Sequence, residues 1–145
     1  MLPAINEKGN LPIGIHLATE DEVLARFATS TARRQWLGDR LRSLLALARL
    51  TGKLERVYLW GSFVTGKASP NDLDMLLVVA EDFSLEAVPA QCQVLFDHAH
   101  ARIQFSADLF WTKSNMDQSM LKLWLATYQI GKDFNRRGIV EVDLS

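Results

Sequence analysis

LWGSFVTGKASPNDLDMLLVV, residues 59–79, sets two apolar segments on either side of a loop rich in turn formers, Gly61, Gly66, Pro70 and Asn71. The pattern predicts a strand over 57–60 and a second over 73–79. Asp72 and Asp74 stand where the second strand begins. Side chains alternate along a strand, so Asp72, Asp74, Leu76 and Val78 share one face, with the two acidic positions roughly 7 Å apart. Two unpaired carboxylates at the mouth of a buried strand repel and are costly to desolvate, so a cation or a basic partner is expected beside them. Oxygen donors of this kind suit Mg²⁺ or Mn²⁺.

Gly61 and Ser62 close the preceding strand. A glycine there lets the backbone approach a ligand, and Ser62 offers an amide N–H and a hydroxyl to a phosphate oxygen. With the two strands as neighbours, the turn and the acidic pair lie at one end of the sheet. Such a site holds a triphosphate between amide donors and a metal ion.

Outward from this stretch, residues 1–18 carry Pro3, Gly9, Pro12 and Gly14 without a helical period and read as an extended or irregular arm, leaving 19–145 as one domain. Thr19 and Glu22 form a capping box ahead of a short helix over 20–28. Leu37, Leu41, Leu44, Leu45 and Ala48 recur at helical spacing and predict an amphipathic helix over 31–50. On it Arg33 and Arg40 flank one side of the apolar stripe and Arg42 and Arg49 the other, which predicts arginines on a solvated rim rather than one nucleic-acid stripe. A helix capped by Ser84 is expected over 85–96, where Pro89 delays its start, then a strand over 102–111, a helix from an Asn115 cap to 130, and a closing strand over 138–144. The order implies a mixed α+β fold, a small sheet with packed helices.

Composition bounds the function classes. In 145 residues, 48% hydrophobic content supports one core. No apolar run approaches the roughly 20 residues of a membrane span, so a cytoplasmic protein without a membrane partner is expected. Cys92, the single cysteine, excludes an internal disulfide and a multi-thiolate metal site, and a space-filling place in a helix is expected for it. The net charge of -1 conceals two halves. Arg33, Arg34, Arg40, Arg42, Arg49, Lys53 and Arg56 face only Asp39 and Glu55, whereas Asp72, Asp74, Glu81, Asp82, Glu86, Asp97 and Asp108 face only Arg102. The acidic half suits a bound cation.

Gly61-Ser62, a short polar loop, then Asp72-Leu73-Asp74 and the apolar strand after it resemble the signature of the polymerase-beta-like nucleotidyltransferases, especially their small minimal members. LPIGIH, GSFVTGK, PNDLD and RRGIVEV together also resemble an uncharacterised bacterial group of small nucleotidyltransferase-like proteins, over most of the chain. The resemblance implies that Asp72 and Asp74 bind the catalytic metals, Mg²⁺ or Mn²⁺, and that Gly61 and Ser62 hold the phosphates of an NTP. It makes Asp108, in QFSADLFW, the third carboxylate and acceptor of the proton from the attacking hydroxyl, with Asp97 as the fallback. Where many small members carry arginines after the Gly-Ser pair, this chain has Phe63 and Thr65.

Nucleotidyl transfer is an in-line displacement at phosphorus, in which two metal ions about 4 Å apart stabilise the entering and leaving oxygens. Charge on the pyrophosphate calls for a basic residue: Lys67 first, then Lys113, Arg136 or Arg137. The acceptor hydroxyl belongs to a protein side chain, the end of a tRNA or a small molecule, and a partner protein, a second subunit or the N-terminal arm would help define it. By resemblance alone, toxin–antitoxin and phage-defence systems are the natural setting. Two other classes compete. One is a catalytically inactive, antitoxin-like binding module on the same fold, and the other is RNA binding through the basic half, which predicts salt-dependent affinity without Mg²⁺ or NTP. Surface or packing roles are expected for His16, His98 and His100, and core positions for Trp36, Trp60, Trp111 and Trp124.

Overall fold

The computed structural model describes residues 1–145. In chain order the elements are β1 (Ile15–Thr19), α1 (Glu20–Phe27), α2 (Ala32–Leu50), β2 (Leu54–Trp60), β3 (Leu73–Val79), α3 (His98–Phe105), β4 (Ala107–Lys113), α4 (Gln118–Tyr128) and β5 (Ile139–Asp143). The strands form one sheet in the order β1-β5-β2-β3-β4. β2 is antiparallel to β3 and β5, whereas β3 with β4 and β1 with β5 are parallel pairs. The fold is mixed α+β, as the alternation of helical and strand periods implies.

β3 is buried on both faces, which explains its unbroken apolar run. Met75 and Leu77 join Leu37, Leu41, Leu44 and Leu45 of α2 in the main core. Leu76 and Val78 face the other way, onto Leu121 and Leu125 of α4, together with Tyr58 of β2. Asp74 and Asp108 stand on this second face, at the end of the sheet that α4 leaves open. Their position follows from the alternation of side chains along β3 and β4.

Local signals place several boundaries. Thr19 closes the capping box with Glu22, and the Thr31 hydroxyl accepts from the Arg34 amide to start α2. Several expectations fail. The arm divides, because Ile15 to Thr19 pair with Ile139 to Asp143 as an edge strand that no local pattern announces. The helix expected over 85–96 is two 3-10 turns, Leu85–Ala87 and Ala90–Phe96, separated at Pro89, which has no N–H to donate. The strand expected over 102–111 begins later, at Ala107. Its first residues belong to α3, which Asp97 caps by accepting from the His100 amide and which Ser106 ends in the left-handed region at φ 53°. The last helix starts at an Asp117 cap instead of Asn115, since the Asp117 carboxylate takes the amides of Ser119 and Met120. Cys92 is buried, in a 3-10 turn.

No helix is long and apolar enough to cross a membrane.

Candidate functional site

The loop after β2 is held from below by α2. Gly61 takes φ 80°, and a Cβ there would collide with the Asp74 carboxylate, so the loop lies against the acidic strand only because residue 61 is glycine. Ser62–Val64 forms a short 3-10 turn. Beneath it, Arg34 is 3% exposed and spends its guanidinium on backbone carbonyls. Nε donates to Lys67 at 3.0 Å, Nη1 to Phe27 and Phe63 at 3.0 and 2.8 Å, and Nη2 to Thr65 and Lys67 at 2.6 Å each. Arg33 adds bonds to the carbonyls of Pro70, at 3.0 Å, and Asn71. Burial pulls the Arg34 pKa down from its ordinary value.

Of the arginines expected on a solvated rim, Arg42 and Arg49 are exposed and Arg33 is half-buried, whereas Arg34, outside that expectation, is buried where the loop supplies carbonyls that need donors. Arg40 is half-buried, with its guanidinium over the ring of Trp36 at 4.5 Å, and Trp36, expected in the core, is 38% exposed. Phe63 is buried against Phe27, 6.2 Å between ring centroids. The N-terminal arm also braces the loop: the Gly66 amide donates to Gly9 at 2.8 Å, and Asn10 bridges to Thr65.

The acidic part of the site comes from strand register. β3 and β4 pair so that Asp74 stands opposite Asp108, while Trp60 of β2 is the partner of Asp74 on its other side. Asp72, Asp74 and Asp108 line one cleft of about 1130 Å³, together with Gly61, Ser62 and Lys67; none of its lining residues is hydrophobic. The Asp74 carboxyl is pushed up to about 7, first by burial and then by the charges of Asp72 and Asp108, against a smaller pull from Lys132 and Arg102.

α3 presents two basic side chains to this part, one turn apart. His98 Nε2 lies 2.5 Å from Asp108 Oδ1, and Arg102 Nη1 donates to Asp72 Oδ2 at 3.3 Å. No three His, Cys, Asp or Glu side chains meet closely enough to hold a metal ion in this arrangement. The donors nonetheless fit a hard divalent cation in chemistry, since all are carboxylate oxygens. The raised Asp74 carboxyl reflects burial first and the charges of Asp72 and Asp108 second, and a bound cation would offset the second cause. The His98 and Arg102 side chains are 52% and 53% exposed, so solvent reaches both contacts.

Of the basic residues expected at the phosphates, Lys67 and Arg137 line the cleft, whereas Lys113 and Arg136 do not. Arg137 Nε is buried without a hydrogen-bond partner. Asp97 is the cap of α3 and takes no part in the cleft. His16 contacts the Pro12 carbonyl at 2.7 Å, away from the carboxylates. His98, for which the sequence predicts a surface or packing role, also lines the cleft, as do Arg102, Lys8 and Lys132, which carry no site signal in the sequence. Reading 98–105 as a helix would have found the first two, because i and i+4 then share one face. Lys8 and Lys132 lie in irregular segments with no local signal.

A family model described as a family of unknown function, DUF6932, matches residues 3–143. The chain belongs to that family. Comparison with curated proteins and with solved structures returns no match.

Proposed function

We propose, for this member of the DUF6932 family, a Mg²⁺-dependent nucleotidyltransferase that moves a nucleoside monophosphate from an NTP to a hydroxyl acceptor. The observation that carries the proposal is the register that sets Asp74 opposite Asp108, with Asp72 beside them, in one cleft with the Gly61-Ser62 turn and Lys67. Asp72, Asp74 and Asp108 would hold the cation. Bound there, Mg²⁺ supplies charge neutralisation at the phosphates and polarises the reacting phosphorus. Gly61 and Ser62 offer backbone and hydroxyl donors to phosphate oxygens, in a loop that Arg34 and the N-terminal arm keep rigid. Lys67, Lys132 and Arg137 offset the charge that develops on the departing pyrophosphate. Asp108, with His98 against it, takes the proton of the attacking hydroxyl. A cytoplasmic setting supplies both NTP and Mg²⁺, and the acceptor is a protein side chain, a tRNA end or a small molecule.

One observation favours the second reading, an inactive antitoxin-like module on the same fold. Arg102 and His98 already engage two of the three carboxylates. Calorimetric titration of ATP, GTP, CTP and UTP, with and without Mg²⁺, separates the two. Transfer predicts Mg²⁺-dependent NTP binding that the Asp72→Asn/Asp74→Asn variant loses, whereas absence of binding by every NTP would move the assignment to the inactive module.

A further inference from the structure

Past Asp108 the same sheet face turns aromatic. Phe110 lies two residues further along β4 and therefore on the Asp108 side of the strand. Trp60, the register partner of Asp74, stacks on Tyr128 with ring centroids 3.6 Å apart and planes 4° apart. Phe110 lies 6.4 Å from Trp60, its plane only 13° away. At the open edge of β4, between the starting turn of α3 and the end of α4, Phe110 and Tyr128, though not Trp60, border a recess of about 350 Å³. Phe96, Phe110, Trp111, Trp124 and Tyr128 are among its seven lining residues, six of them hydrophobic. The seventh is His98, which also lines the acidic cleft.

This volume is at the small end of ligand pockets, about 300–1000 Å³, whose usual makeup is apolar walls with a few placed polar groups. Phe110 is left 41% exposed, an aromatic face open to solvent beside a site built to carry charge. Phe110 and Trp60 are near-parallel and offset, the geometry in which aromatic rings stack, and the open face of Phe110 offers the same to a further ring. The recess shares His98 with the cleft but no residue of the 61–67 loop, so a group seated in it reaches the carboxylates from the Asp108 side, away from the turn assigned to the phosphates.

We infer that the recess beside His98 binds the planar aromatic ring of a phenol-type acceptor, with the ring hydroxyl directed toward the Asp108 carboxylate. The inference rests on the transfer reading and narrows its acceptor. In the reaction, the phenol oxygen forms a bond to the α-phosphorus, and the bond from that phosphorus to its bridging oxygen breaks. Pyrophosphate leaves with the electron pair, and the phenol proton passes to Asp108. The ring comes either from a free phenolic compound or from a protein tyrosine.

NMR titration of the tryptophan indole N–H signals tests the recess alone, with neither nucleotide nor metal present. The probes are 2-naphthol for a free phenolic compound, N-acetyltyrosinamide for a tyrosine side chain, and decahydro-2-naphthol as the saturated counterpart. The expected result is movement of the Trp111 and Trp124 signals by an aromatic probe, with binding at least tenfold weaker for the saturated alcohol and at least tenfold weaker in both Phe110→Ala and Phe110→Leu. The tighter of the two aromatic probes identifies the source of the ring. Equal binding of the saturated alcohol, unchanged affinity in the Phe110 variants, or no shift by either aromatic probe would overturn the inference. NTP binding measured separately keeps the two proposals apart: ring binding without NTP binding sinks the transfer reading, and NTP binding without ring binding sinks the acceptor site.

Discussion

The loop and the acidic strand ends line the same cleft but are held by opposite means. Beneath the loop, Arg34 is buried and makes five hydrogen bonds of 3.0 Å or less to four backbone carbonyls, those of Phe27, Phe63 and Thr65 once each and that of Lys67 twice by different nitrogens. Among the carboxylates, His98 and Arg102 each make one contact from an exposed position. The first set of bonds cannot be traded with water without leaving buried acceptors unpaired. The second can, because solvent already reaches both partners and exposed ion pairs are weak. The cleft thus joins a fixed cradle to a set of carboxylates whose basic partners are replaceable.

Breaking the cradle should have the largest effect. Arg34→Ala strips donors from several buried carbonyls at once and is expected to lower stability by about 3–5 kcal/mol, read as a loss of thermal or urea midpoint. Arg34→Lys should recover only a small part, since an ammonium lacks the planar fork of donors. Gly61→Ala, by forcing a side chain into the left-handed region and against Asp74, should cost roughly 2–3 kcal/mol in the same assay.

The carboxylates give a smaller, pH-dependent effect. Asp74 is raised from 3.8 to about 7 in the folded protein. Between about pH 4 and pH 7 the folded state therefore keeps a proton that the unfolded chain has lost, so stability falls as pH rises through that window and is lowest above it. Asp74→Asn should remove that slope and melt above the parent at pH 8 by the equivalent of about 2 kcal/mol, the full shift of about three units being reduced by partial exposure. Added Mg²⁺ should narrow the gap at pH 8 by stabilising the parent alone. Smallest of all, Arg102→Gln should change stability by less than about 1 kcal/mol while tightening Mg²⁺ binding, because Asp72 loses its competing partner. A large loss of stability in Arg102→Gln would mean that the acidic part is fixed as firmly as the loop.

The difference between the two parts also separates what the sequence disclosed from what it hid. Asp72, Asp74 and the strand after them were legible, because turn residues, alternation and an apolar run all sit within one local stretch. Asp108 followed once β4 was placed, although its first residues were misassigned. The partners of these groups were not legible. Arg34 stands in line with the apolar stripe of α2, three residues before Leu37 and seven before Leu41, where a charge reads as an exception, and its role depends on carbonyls about thirty residues away. His98 and Arg102 sit on a helix of eight residues with weak amphipathic patterning, following a proline-broken turn segment. β1 is an edge strand whose only partner is at the other end of the chain. Local chemistry announces itself in sequence, whereas the residues that hold it in place are recruited by tertiary contact.

The most direct test of the replaceable carboxylate partners is electron paramagnetic titration of Mn²⁺ in the presence of a non-hydrolysable NTP analogue, following the free-ion signal as protein is added. The account predicts that the native protein removes Mn²⁺ from solution, that Arg102→Gln removes it at lower concentration, and that Asp72→Asn/Asp74→Asn does not remove it beyond the analogue alone. Equal uptake by the native and double-Asn proteins, or no uptake by either, would contradict it.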